Sequence, residues 1–386
     1  MTAPAARPPI LTRALLLVFA ASFGAMTCFY LLLSVVPLYA ESVGAGGVGV
    51  GLVTGALMAA TVAGELALPR LMGRFGYRVM LAAGLVLLGA PALALPASTT
   101  MAAILAVSLV RGLGFAVVVV VAGALVASLV PGERRGEGLG LFGIVVGVPG
   151  VAALPLGVWL VDQVGYPGVF VAGALATLAG LAVVPGLPGR AAAQEPPVGI
   201  LAGLRSPALV WPAVSFAATA MAAGVVVTFL PLAVGGSGGL AAVALFVQAV
   251  GSTFWRWWAG RHGDRHGPAV LLVPGIVTTA AGVLALVLVD RPAAVLVAMA
   301  LFGSGFGVTQ NATMTLMLNR VAPVGYGTVS AIWNLAFDLG IGVGAFGFGL
   351  VAAQTGYPAA FAVTAGLVLA ALIPVWRDRT DRLVAE

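Results

Sequence analysis

The chain has no lysine, one cysteine and two histidines, and only 12 of its 386 residues are Asp or Glu. Each scarcity excludes something. The single Cys28 cannot form an intramolecular disulfide. His262 and His266 are too few to build a metal site, and neither a metal nor another cofactor is expected. No Gly-rich phosphate loop is present, so the chain is not itself an ATP-driven pump. No cluster of His and carboxylates stands at one membrane face, as a polytopic transferase would need, so an enzyme is not expected. The net charge of +6 is carried entirely by arginine and scattered over short connections. That pattern is a topology signal rather than a nucleic-acid stripe.

What is abundant is apolar surface. The sequence is 61% hydrophobic and 8% charged, where soluble domains carry about 25% charge. Its mean hydropathy is +1.13. A soluble fold of this size could not hide so much apolar surface, so the solvent of this chain is lipid. Breaks at charge, Gly and Pro clusters leave twelve apolar segments, near 12–38, 48–68, 78–97, 100–130, 138–160, 168–186, 208–233, 240–259, 268–289, 293–318, 327–351 and 359–376. Each is near or above the roughly 20 residues that cross a bilayer as a helix. The first run, preceded by Arg7 and Arg13, is too long for a cleaved signal.

Alternate connections carry nearly all the arginines: Arg70, Arg74 and Arg78, then Arg134 and Arg135, Arg190 and Arg205, Arg261 and Arg265, and Arg320. The tails, with Arg7, Arg13, Arg377, Arg379 and Arg382, fall on the same side, while the opposite connections hold Glu41, Asp162 and Asp290 beside Arg291. The positive-inside rule leads us to expect both termini in the cytoplasm, and heavy use of Ala, Val, Gly and Arg suggests a bacterial source, hence a multi-pass protein of the inner membrane. Trp255, Trp257 and Trp258, flanking Arg256, read as an interfacial aromatic belt ahead of ligand stacking.

The sequence also repeats itself at an offset of 191 residues. Gly112, Gly114 and Phe115 recur as Gly303, Gly305 and Phe306; Gln163, Gly165, Tyr166, Pro167 and Phe170 recur as Gln354, Gly356, Tyr357, Pro358 and Phe361. Arg74 and Gly76 recur as Arg265 and Gly267. A duplicated apolar chain implies two bundles with a substrate site between them. The expected division is 1–187, a Pro/Gly-rich linker over 188–206, and 207–386.

The connection Gly260-Arg261-His262-Gly263-Asp264-Arg265-His266-Gly267 resembles the G-x-x-x-D-R-x-G loop of the major facilitator superfamily. In the equivalent stretch from Pro69, Arg74 and Gly76 fit, but Pro69 replaces the first Gly and Gly73 the Asp. With twelve spans, both tails inside and a half-chain repeat, the resemblance covers the whole chain. It implies an all-α membrane fold of 12 transmembrane helices in two pseudo-symmetric six-helix bundles, working as a monomer. Gly260, Asp264, Arg265, Gly267, Arg74 and Gly76 are then gate residues at the cytoplasmic mouth. Asp264 would meet a helix end of the other half, or Arg134 and Arg135, and latch one conformation; a solvated loop is the plainer alternative. Glu65 would replace the missing first-half acid, or pair with Arg70 and Arg74.

Two ionisable residues stand out inside spans, Arg111 in the fourth and Asp338 in the eleventh. A charge at mid-bilayer costs at least about 2.5–3.5 kcal/mol on insertion scales, so function is the default suspicion. Arg111 resembles the fourth-span Arg that the family links to proton coupling, although the Gln of R-x-x-Q-G is missing. Asp338 has no acid in the other copy, where Gly147 stands. It is a candidate proton carrier, or a structural partner of Arg111 or of a backbone amide. The run Gly143 to Gly150, with Pro149, is similar to the fifth-span signature of family antiporters and would serve generic close packing equally well. Tyr30, Phe115, Gln310, Asn311, Trp333 and Asn334 are candidates to contact substrate, or else interhelical hydrogen-bonding and packing residues; Gln248 is a further polar residue inside a span. The apolar remainder suits a hydrophobic or amphipathic solute. The expected function is proton-coupled efflux of such a molecule; a nutrient or metabolite importer is the alternative.

Overall fold

A computed structural model describes residues 11–130, 134–189, 200–235 and 238–383. Arg7, Glu133, Arg190 and most of the expected linker lie outside the described residues, as do the side chains of Arg70 and Arg135. The described chain is helical throughout: α1 (Arg13–Leu33), α2 (Val35–Ser42), α3 (Gly46–Phe75), α4 (Tyr77–Gly89), α5 (Met101–Leu129), α6 (Arg135–Leu178), α7 (Ile200–Gly203), α8 (Pro207–Ala233), α9 (Gly238–His266), α10 (Leu272–Ala285), α11 (Pro292–Leu318), α12 (Tyr326–Ala370) and α13 (Leu372–Leu383). Helix is dictated because, in lipid, only intrasegment hydrogen bonds satisfy every backbone group. Thr12 and Thr100 cap α1 and α5, their hydroxyls accepting from the amides of Leu15 and Ala103.

Ten of the described helical stretches are long and apolar enough to cross a membrane, with mean hydropathies of 1.2 to 2.5. The protein is a multi-pass membrane protein. Two helices are too long for one crossing: α6 has 44 residues and α12 has 45. At 1.5 Å per residue each would span over twice the roughly 30 Å hydrocarbon core. Each is broken, at Gly165 (φ 69°, ψ 170°) and Gly356 (φ 77°, ψ 168°), backbone that essentially only glycine adopts.

The repeat is built into the backbone. Gly165 and Gly356 are mates at the 191 offset, and two more positive-φ pairs share it, Gly44 with Gly235 and Gly76 with Gly267. Interhelical contacts repeat as well. A Cβ on Gly112 would strike the carbonyl of Leu57, and one on Gly303 that of Gln248, its mate. A Cβ on Gly114 would strike the amide of Leu88, and one on Gly305 that of Thr279, again the mate. Small residues let these backbones touch where no hydrophobic drive exists between helices in lipid. Helices α1 to α6 pack among themselves, as do α8 to α13.

The two groups meet along two seams, α3 against α12 and α6 against α9. On the first, Gly47 faces Gly349, Gly51 faces Ala345 and Met58 faces Gly342. At the same end Thr54 and Thr228 share a 3.0 Å hydrogen bond, and the hydroxyl of Ser34 donates to the carbonyl of Val227.

One expectation is corrected. The segment Gly260 to Gly267 is not a loop, because α9 continues to His266 and the turn is confined to Gly267 (φ 84°). Gly260 and Gly263 weaken this stretch but keep helical backbone, and extension defers the unsatisfied terminal carbonyls to the stop at Gly267, where φ turns positive. The first copy behaves alike, with α3 reaching Phe75 and Gly76 turning at φ 75°.

Candidate functional site

Four ionisable groups occupy the interior, two more than the sequence reading singled out. Glu65 stands on α3 and Arg256 on α9, each ten residues short of its helix's last residue, Phe75 and His266. At the 191 offset Glu65 and Arg256 are mates, and so are Gly147 and Asp338. The structure brings these four together in two equivalent pairs. On the α3–α12 seam the carboxyl groups of Glu65 and Asp338 lie within hydrogen-bonding reach. On the α6–α9 seam the Arg256 guanidinium faces Gly147, its Nη2 3.9 Å from where a Cβ would stand.

Asp338 is 4% exposed and Glu65 half-buried. Ionised carboxylates only accept hydrogen bonds, so a bond between the two requires a proton held between them. No ion pair among the described residues joins either acid to an arginine. Glu65 therefore meets Asp338 across the seam and makes no ion pair with Arg74, while the side chain of Arg70 lies outside the described residues. Arg74 is exposed, over the ring of Phe75 at 5.4 Å.

Arg256 donates from Nη1 to Oε1 of Gln310 on α11, at 3.2 Å. Tyr30 on α1 stands near both Arg256 and Asp338, its ring against Gly150. Thr313, one turn along from Gln310, accepts from Nε1 of Trp333 at 3.2 Å. Trp333 in turn stacks on Phe216 at 4.3 Å between centroids, and Phe337 lies parallel to both. A cation and an aromatic slab are thus joined through α11.

The other expected residues are placed as follows. Arg111 and Asp338 are not brought together. Arg111 is 1% exposed, Cys28 stands beside it, and its Nε and Nη2 have no hydrogen-bond partner. It borders a cavity of about 10 Å³ with Thr54 and Ser108, room for one water. Phe115 is buried and stacks on Phe29, ring centroids 3.7 Å apart. Asn311 abuts Gly260, whose missing side chain admits it. Asn334 is half-buried on α12 and makes no hydrogen bond among the described residues. Asp264 and Arg265 are exposed and unpaired among the described residues, while Arg134 bonds Glu137 at 3.0 Å. The latch between Asp264 and Arg134 is not made in this conformation.

In the sequence Arg256 is inconspicuous among three tryptophans. The signal that could have found it is the one that found Arg111, a charge inside an apolar span. Helical geometry separates it from its neighbours, for Trp257 is 55% exposed on the outer face while Arg256 turns inward.

Two helical bundles related by a repeat, meeting at a polar cluster inside the membrane, define a membrane carrier. The chain belongs to the Major Facilitator Superfamily, whose family model matches residues 18–345 and 237–385. Its fold is similar to that of nucleoside transporter NupG, at a TM-score of 0.74 and 12% identity over 96% of this chain and 99% of that one. A D-xylose-proton symporter matches at 0.77 and 14%, over 94% and 97%. A bacterial homolog of the human lysosomal transporter Spinster, inward-facing and unoccupied, matches at 0.70 and 14%, over 97% and 96%. No curated protein matches the chain in sequence.

Proposed function

We propose that the chain is a proton-coupled secondary transporter that exports a small amphipathic molecule by alternating access. The observation that carries this reading is the Glu65–Asp338 carboxyl pair, shared between the two helix groups at the seam where they must part. A proton held there bonds the groups together; its loss leaves two like charges face to face, which repel. Proton binding and bundle separation are thereby linked. In this reading α6 and α12 each cross the membrane twice, giving twelve crossings. The bundles are 1–187 and 207–386, joined by 188–206, and both tails are cytoplasmic. The cargo is handled unchanged, with no enzymatic step.

The test is reconstitution in liposomes with an imposed pH gradient. Flux of an amphipathic solute that follows the gradient, and ceases to follow it in Asp338→Asn, supports coupling. Flux that ignores the gradient in the wild-type protein ends this reading. A second reading, import, is favoured by the similarity to a nucleoside transporter and a sugar–proton symporter. Proton-driven accumulation by whole cells would establish import, and outward extrusion would establish export.

A further inference from the structure

Arg256 is a partly buried cation between the two helix groups without a counter-ion among the described residues. No ion pair among the described residues involves it, and its hydrogen bond to Gln310 is to a neutral carbonyl oxygen. The acids nearest in depth, Glu65 and Asp338, are engaged with each other. Across the seam stands Gly147, which fills no space beside the guanidinium. A charge half withdrawn from water inside an apolar span is favoured by a partner of opposite sign, and a neutral partner such as Gln310 supplies little of that. Guanidinium carries five donors in a planar fork suited to a carboxylate, sulfonate or phosphate.

The aromatic slab lies on the same side of α11. Trp333, Phe216 and Phe337 are mutually parallel within 14°, and Trp333 connects through Thr313 to the turn of α11 that bears Gln310. A flat apolar body would lie against the accessible parts of Trp333 and Phe337, which the buried Phe216 backs, with its charged group directed to Arg256.

From this arrangement we infer that the transported molecule is an organic anion: an aromatic or flat apolar body bearing one acidic group, which supplies the missing counter-ion of Arg256. The inference rests on the transporter reading and adds the charge of the cargo to it. Repeat symmetry gives the reason for the division of labour. One position of the repeat became the acid Glu65, which pairs with Asp338; its mate became the base Arg256, which faces an empty glycine. Proton and substrate are thereby handled on opposite seams.

The test is calorimetric titration of the full-length protein in nanodiscs, with the heats of empty nanodiscs subtracted. Two probes of one shape are compared, 2-naphthoate and the neutral 2-naphthalenemethanol. The anion is expected to bind at least about tenfold more tightly, the scale of one charge-assisted bidentate contact. Arg256→Gln removes that preference, Arg256→Lys retains part of it, and Arg205→Gln, an exposed arginine far from the cluster, retains all of it. Equal binding of the two probes by the wild-type protein, which needs no variant to fold, overturns the inference, as does an undiminished preference in Arg256→Gln. Because binding is read without a gradient, the two readings fail separately. Anion preference without gradient-driven flux sinks coupling alone, and gradient-driven flux without anion preference sinks this assignment alone.

Discussion

Glu65 and Arg256 occupy the same position in the two halves of the chain and carry opposite charges. Each faces the other half across an equivalent seam, where their partners, Asp338 and Gly147, are again mates. Shared backbone contacts hold the two copies to one architecture, and these four residues make their interiors differ.

Replacing either acid tests the shared proton. Glu65→Gln keeps a hydrogen-bonding group opposite Asp338, so the variant is expected to purify as a folded monodisperse protein. Its gradient-driven flux should fall by about a hundredfold, the scale on which positioned proton-transfer groups act. Retention of wild-type coupling in Glu65→Gln, measured by proton flux into liposomes, would remove Glu65 from the mechanism.

Arg111 separates stability from function. Its Nε and Nη2 are buried without partners, so the charge is uncompensated where it stands and an apolar side chain of similar volume removes that cost. Arg111→Met should therefore melt no lower than wild type in detergent, while losing coupled transport. Unchanged transport would reduce Arg111 to a structural residue beside a water-sized cavity.

The mated glycines should fail together. Gly112→Ala and Gly303→Ala place a methyl 2.1 Å and 2.4 Å from the carbonyls of Leu57 and Gln248. Each should cost about 1–3 kcal/mol, the usual price of overpacking, seen as a lowered melting midpoint. Gly123→Ala, with nothing within 4 Å of its Cβ, is the control and should be silent. A difference between the two mates larger than that between either and the control would show that the crossings are not equivalent.

Arg320 and Asp378 form a bonded ion pair between the end of α11 and α13, each side chain 11% exposed. Asp378→Asn leaves the guanidinium without its acid and should destabilise by about 2 kcal/mol or more. Thermal melting at low and high salt decides this, since a pair so little exposed should be only weakly screened. An unchanged midpoint would mean that the pair contributes nothing measurable.

Much of this was legible before any coordinates. The membrane class follows from apolar composition, because no water-soluble core could absorb it. The helical state follows from the unsatisfiable backbone in lipid. The breaks at Gly165 and Gly356 were visible as repeated glycines, since a positive φ demands that residue. The bounds of α3 and α9 were not, because the motif resembling a loop contains nothing that stops a helix before its last glycine.

The charges divide along the same line. Asp338 and Arg111 could be found by depth in an apolar run, a one-dimensional property. Their partners could not. Glu65 reads as the neighbour of Arg70 and Arg74 because those are close in sequence, but antiparallel packing of α3 on α12 delivers Asp338, 273 residues away, instead. Arg256 reads as part of an aromatic belt until helical rotation turns it from Trp257 toward Gln310. By itself the sequence determined the solvent, the repeat and the helices, all set by composition and local backbone chemistry. Only the tertiary structure decided which charges meet, because that depends on how two helices from different halves are rotated against each other.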